Sequence, residues 1–158
     1  MAKNMTIKDS GKRREFSSGA VRDTAEGRGR FDLVPLDVIA GISTLDSDFT
    51  EILKFINVFI LTKDTTALYT ALKVFNVDYK SLLALAKHFE NGAIKYGEYN
   101  WQKGISIKSY IDSAVRHLTK YYAHISDEPH DIAFIWNIVA CIWTMWNKPE
   151  CWDFPEYK

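Results

Sequence analysis

The segment Ser126-Asp127-Glu128-Pro129-His130-Asp131 sets two carboxylates three positions apart at the opening of a strongly apolar stretch. On a helix, positions i and i+3 share a face, so Glu128 and Asp131 are expected to converge on one cation. Hard oxygen donors suit Mg²⁺ or Mn²⁺. Upstream, Glu90 lies in a second helical pattern. Between the two, Ser113, Arg116, His117 and Lys120 recur at i, i+3, i+4 and i+7, a polar stripe suited to anions. One acidic site and one basic stripe on neighbouring helices point to metal-dependent chemistry on a polyphosphate, built as helical bundles build such pockets.

Each feature also has a purely structural explanation. Acidic residues at a helix N-terminus complement the macrodipole. Glu90 can pair with Lys87 on a solvated face, and Asp112 with Arg116 on another, for a few tenths of a kcal/mol each. His88 and His130 read as ordinary polar residues, while His117 gains weight by sharing the face of Arg116. Trp101 is a loop anchor or a base-stacking platform. Gly27-Arg28-Gly29-Arg30 lacks the spacing of a phosphate-binding P-loop, and no nucleophile elbow, zinc-protease motif, EF-hand loop or dinucleotide fingerprint is present.

The elements that must position these residues are helical. With 158 residues, 47% of them hydrophobic, the chain suits one domain with a core. Residues 1–35 are rich in Gly, Ser, Lys and Arg without a period, and read as a polar arm or ordered loop. Residues 36–158 read as a single all-α domain. Asp46-Ser47-Asp48 caps a helix over 49–61, and Lys63-Asp64 restarts the pattern through Phe75. Asp78 opens a helix whose core stripe is Leu82, Leu85, Ala86, Phe89, Ala93 and Tyr96, ended by Gly97. Ser106 or Ile107 opens the next, to about His124, with Ile111, Ala114, Val115, Leu118 and Tyr122 inward. The last helix runs from about Pro129 to Asn147 and is apolar on most sides, which predicts a central position or an oligomer interface. Strand signals are nearly absent, since Phe31–Val34 is too short to carry a sheet.

Twenty basic and twenty acidic residues cancel, so no global field favours nucleic acid or an anionic membrane, and any phosphate recognition is local. The apolar run 132–146 falls short of the ~20 residues of a membrane span. Met1–Ser18 has no apolar signal region, and Cys141 and Cys151 sit in no metal or disulfide spacing. A cytoplasmic protein is expected.

Several segments, taken together, resemble one family. They are Ser18–Asp23, Gly29–Pro35, His88-Phe89-Glu90-Asn91-Gly92-Ala93-Ile94-Lys95-Tyr96-Gly97, Asn100-Trp101-Gln102-Lys103-Gly104, Asp112–His117 and Asp127–Asp131 followed by Trp136-Asn137. They resemble the dATP/dGTP diphosphohydrolase N-terminal domain family, found largely in bacteriophages and prophages, which looks like a divergent branch of the MazG-like all-α nucleotide pyrophosphohydrolases. Residues 41–79 fall outside the resemblance and read as a helical insertion.

The resemblance implies an oligomeric helical bundle, a dimer or tetramer, that hydrolyses a purine deoxynucleoside triphosphate to the monophosphate and pyrophosphate. Glu128-Pro129-His130-Asp131 matches the family's ExxD. The ExxE half is not intact, because Ala93 and Lys87 flank Glu90, leaving Glu98 or His88 as substitutes. Glu90, Glu128 and Asp131 are then the catalytic residues and the ligands of Mg²⁺ or Mn²⁺. Lys95, Ser113, Arg116, His117 and Lys120 would bind the phosphates, and Arg22, Asp23, Arg30, Asn100 and Trp101 would close over the nucleotide. If phage-encoded, the protein would act in the bacterial host cytoplasm. Two rivals are a nucleotide-binding regulator without turnover and a structural helical interaction module.

Overall fold

A computed structural model describes residues 9–156. The chain is mostly helical, in the order β1 (Arg13–Glu15), β2 (Val21–Asp23), α1 (Leu36–Ile39), α2 (Ser47–Thr62), α3 (Thr65–Phe75), α4 (Tyr79–Tyr96), α5 (Ile107–Tyr122) and α6 (His130–Asn147). Short 3-10 turns lie at Phe31–Leu33, Asn100–Lys103 and Pro149–Cys151. The all-α expectation holds for the body of the protein. No helix among the described residues is long and apolar enough to cross a membrane.

Local chemistry sets the helix ends. Asp46 accepts hydrogen bonds from the Asp48 and Phe49 amides and starts α2. Asp64 caps α3, and Asp78 forms a reciprocal capping box with Ser81 at α4. Gly97, at φ +93°, ends α4 in a conformation that a side chain rarely adopts. The Ser106 hydroxyl accepts from the Ser109 amide and opens α5.

Helix α6 is the axis of the molecule. Ile132, Phe134, Ile135, Ile138 and Ile142 are all buried against α5, α4, α3 and the tail. The Phe134 ring meets Phe75 of α3 edge-on at 4.9 Å. Most of the apolar surplus expected to need a second copy is therefore covered within the chain; Trp136, Val139, Trp143 and Met145 stay partly exposed and Trp146 is 60% exposed. The α2–α3 hairpin, read as an insertion, shares this core through Ile52, Leu53, Ile56, Phe59 and Leu68.

Two expectations are corrected. The arm is not free of packed elements: β1 and β2 pair antiparallel, with Arg13 opposite Asp23, Arg14 opposite Arg22 and Glu15 opposite Val21. Asn100 fastens this hairpin as a third strand would. Its Oδ1 accepts from the Val21 amide at 2.9 Å, and its Nδ2 donates to the Val21 carbonyl at 2.8 Å. Three-residue strands give no readable alternation, so the hairpin escapes a search for period two.

In α4 the buried face is rotated from the expected stripe. Leu85 is buried and Phe89 and Tyr96 half-buried, but Leu82 and Ala86 face outward. Tyr79 and Leu83, at 87% and 76% exposure, extend an outward apolar cluster at the start of α4, and Ile94, 77% exposed, lies beyond the Lys87–Glu90 pair on the same face.

Candidate functional site

A cavity of about 430 Å³ opens between the hairpin, the C-terminal half of α4, the 97–101 loop, α5 and the start of α6. Arg14, Arg22, Arg28, Lys95, Arg116 and Lys120 bring positive charge to its wall, and Asp23, Glu90, Glu98 and Glu128 are its carboxylates. Phe89, Tyr96, Trp101 and Trp136 supply aromatic surface. A neutral chain has thus gathered a local cationic patch.

The arginines of the hairpin sit side by side. Arg14 and Arg22 face each other across the strands, and both guanidinium groups donate to one hydroxyl, Ser109 Oγ, at 2.6 and 3.2 Å. Arg22 also donates to Asn137 Oδ1 at 2.9 Å and lies 5.5 and 5.6 Å from the ring centroids of Tyr110 and Trp136. No carboxylate lies within ion-pairing distance of Arg22 among the described residues. Burial pushes its pKa down to about 10, which leaves it charged at neutral pH. Burial also lowers Arg14, and the Arg14 Nε has no hydrogen-bond partner among the described residues.

Arg116 is differently placed. With Asp112 it forms a pair whose side chains are only 6% and 5% exposed, its Nη2 donating to both carboxylate oxygens at 2.7 and 2.6 Å. The same nitrogen donates to the Gly29 carbonyl at 2.6 Å, and Asp112 Oδ1 accepts from the Phe31 amide at 2.7 Å. The solvated Asp112–Arg116 pairing foreseen from the sequence is corrected to a buried one that ties down the arm.

The expected acidic set is not brought together. Helix α6 begins at His130, and Pro129 stands as its N-cap, with φ −75° and ψ 74°. Glu128 therefore lies outside the helix, and the i, i+3 relation to Asp131 does not apply. Glu128 lines the cavity and Asp131 does not. Glu90 reaches the rim, where it is 60% exposed and pairs with Lys87 at 2.8 Å.

Glu128 instead approaches two histidines. Among the described residues, one group of three metal-ligating side chains has all its ligand atoms within 4.8 Å, namely His117, Glu128 and His130. His117 Nδ1 and His130 Nδ1 are 2.8 Å apart, and His130 Nε2 is 2.7 Å from Asp127 Oδ1. Burial, then the neighbouring His130, holds the His117 pKa well below the usual imidazole value.

The remaining expected residues divide. Lys95, Trp101, Ser113 and Lys120 line the cavity; Trp101 packs against Phe89 at 5.6 Å and Trp143 at 4.9 Å. Asp23 lines it but pairs with Arg28 at 2.7 Å, and Asn100 is occupied by the hairpin. Arg30 pairs with Asp32 at 2.6 Å, outside the lining. His88 and Glu98, the substitutes expected for the missing ExxE partner, also line the cavity, whereas Arg14, Trp136 and Asn137 are lining residues that the sequence does not single out for the site. Arg14 could have been found only through the hairpin register.

The family profile described as dATP/dGTP diphosphohydrolase, N-terminal, matches residues 63–153. That span holds α3 to α6, including residues 63–79, which lie outside the resemblance read from the sequence, and with them the cavity wall except the residues of the arm. No curated protein and no solved structure matches the chain.

Arg116→Ala should destabilise the protein by about 3–5 kcal/mol, because it leaves the Asp112 charge buried without its partner. Urea unfolding measures this, and a change within about 0.5 kcal/mol would return Arg116 to the surface class. A pH dependence also follows. Burial, with the charges of Arg22 and Lys95, lowers His88 from 6.5 to about 4, so the unfolded chain binds more protons between those values. The stability linked to His88 is complete above about 6.5 and declines as pH falls toward 4. His88→Phe should flatten the fall in unfolding free energy across that window.

Proposed function

Because the chain belongs to the dATP/dGTP diphosphohydrolase N-terminal domain family, we propose that its cavity binds a purine deoxynucleoside triphosphate and hydrolyses it to the monophosphate and pyrophosphate. The observation that carries this reading is the Arg14–Arg22 pair. Like charges directly opposite across two strands repel, and here they share a single neutral acceptor. A phosphate group placed between them relieves that repulsion and is recognised in a planar, directional way that lysine does not offer. Lys95 and Lys120 extend the positive wall, and Trp101, Trp136 and Phe89 offer surface for a base.

In the reaction, water adds to the α-phosphorus and loses a proton to solvent, and the bond to the bridging α–β oxygen breaks, so that pyrophosphate leaves. Charge grows on the non-bridging oxygens and on the leaving group. Arg14, Arg22 and Lys120 are the groups assigned to stabilise it, in a site whose walls exclude part of the solvent. The Mg²⁺ or Mn²⁺ expected on Glu90, Glu128 and Asp131 does not fit the placement of those three side chains, because Asp131 lies off the cavity lining and Glu90 pairs with Lys87 at its rim. Of the three, Glu90 and Glu128 line the cavity, and Glu128 is the one beside His117 and His130.

The ungathered acidic set favours a second reading, a nucleotide-binding regulator without turnover. Pyrophosphate release from each of the four deoxynucleoside triphosphates, run beside calorimetric binding, separates the two. Hydrolysis of dATP or dGTP in preference to the pyrimidines is expected. Arg22→Ala should lower kcat/KM by roughly 30-fold or more with the helical circular-dichroism signal retained. Tight binding with no pyrophosphate released would establish the regulator instead.

The exposed cluster Tyr79, Leu82 and Leu83 at the start of α4 supports the homo-oligomer expected from the sequence, with α4 rather than α6 as the contact. Light scattering at micromolar concentration should give a dimer or larger species, and Leu83→Lys should shift it toward the monomer. A monomeric parent protein would remove the assembly from the proposal.

A further inference from the structure

We propose that His117, His130 and Glu128 form a binding site for a first-row transition-metal ion of the Zn²⁺ or Co²⁺ class, in place of an all-carboxylate Mg²⁺ site. The assignment adds to the hydrolase reading but does not depend on it, because metal uptake is measured without nucleotide.

Four observations converge. The donor atoms come from two helices and the segment joining them, and they already lie together: Nδ1 to Nδ1 at 2.8 Å, and Glu128 Oε2 at 3.9 Å from His130 Nδ1. Two nitrogens bound to one tetrahedral ion, at ~2.0–2.1 Å each, lie ~3.3 Å apart, so the rings need separate by only about half an ångström.

Second, the tautomer is set. Asp127 Oδ1, 2.7 Å from His130 Nε2, holds the ring proton there and leaves the Nδ1 lone pair directed at His117 and Glu128. A carboxylate behind a histidine in this way orients it and raises its basicity toward a metal. Without metal, the short Nδ1–Nδ1 contact has His117 as donor. An ion replaces that proton at Nδ1, and the neutral His117 ring carries its proton on Nε2 instead.

Third, two of the three donors are held. The His130 side chain is 1% exposed and that of Glu128 11%, so little ordering remains to be done on binding. Fourth, His117 and Glu128 line the cavity, which gives an ion a path of entry and leaves a coordination position open to water or a phosphate oxygen. Imidazole donors favour zinc, cobalt and nickel, whereas Mg²⁺ requires oxygens in near-ideal octahedral array and gives up its water reluctantly.

The test is a Co²⁺ titration of the chelator-stripped full chain, read by visible ligand-field absorption and by calorimetry. One ion per chain should bind, with the intense visible bands of a four- or five-coordinate site, and a large excess of Mg²⁺ should not displace it. His117→Gln and His130→Gln should remove the bands. Asp127→Asn, at a half-exposed position that spares the core, should weaken binding by roughly 10–100-fold; it keeps the test valid if a histidine variant fails to fold. Absence of a saturable band, displacement by Mg²⁺, or unchanged affinity in Asp127→Asn overturns the assignment. A protein that binds Co²⁺ as described yet releases no pyrophosphate keeps this site and loses only the hydrolase reading.

Discussion

The buried pair of Asp112 and Arg116 is the interaction on which the rest of the site depends. Two charges removed from water are tolerable only when the geometry is good and the remaining donors and acceptors are filled. Here the arm supplies part of the filling, through the Phe31 amide and the Gly29 carbonyl, while Arg116 Nε has no partner among the described residues. The pair therefore anchors a glycine-rich segment with no apolar stripe of its own to α5. Once that segment is fixed, the hairpin before it is confined to the cavity mouth, where Asn100 completes its hydrogen bonding.

This anchoring explains how a chain of zero formal charge presents a cationic wall. Many acidic side chains are spent on local partners: Asp32 on Arg30, Asp23 on Arg28, Glu90 on Lys87 and Asp112 on Arg116. Arg14 and Arg22 are held by a serine hydroxyl, an amide oxygen and aromatic faces. Neutral acceptors satisfy the hydrogen bonds of a guanidinium group but not its charge. The cavity keeps an electrostatic demand that an anion meets, and water exclusion at its aromatic side strengthens that demand.

The acidic motif shows how a single residue redirects chemistry. Pro129 cannot donate a backbone hydrogen bond and is readily accommodated at a helix start. Helix α6 accordingly begins after it, and Glu128 leaves the helical frame to approach His117 and His130. The two carboxylates that look paired in the sequence are separated by this break, and the histidine between them becomes part of the site. The carboxylates beside His130 are its near neighbours in the sequence, but its other partner, His117, lies thirteen positions earlier on another helix and gives no local signal.

What the sequence by itself determined were the features governed by near neighbours. Asp46, Asp78, Ser106 and Gly97 mark helix ends through hydrogen bonds spanning a few residues, and the segments containing Glu90, Trp101, Arg116 and Glu128 carry the family resemblance without reference to packing. Tertiary structure alone decided which face of α4 is buried, since Leu82 and Leu85 are equally apolar and only contact with α6 separates them. It alone decided that Arg116 serves the fold, that Arg14 stands beside Arg22, and that Glu128 joins two histidines. Each of these relations joins residues distant in sequence or follows from a non-helical turn, and periodicity carries no information about either.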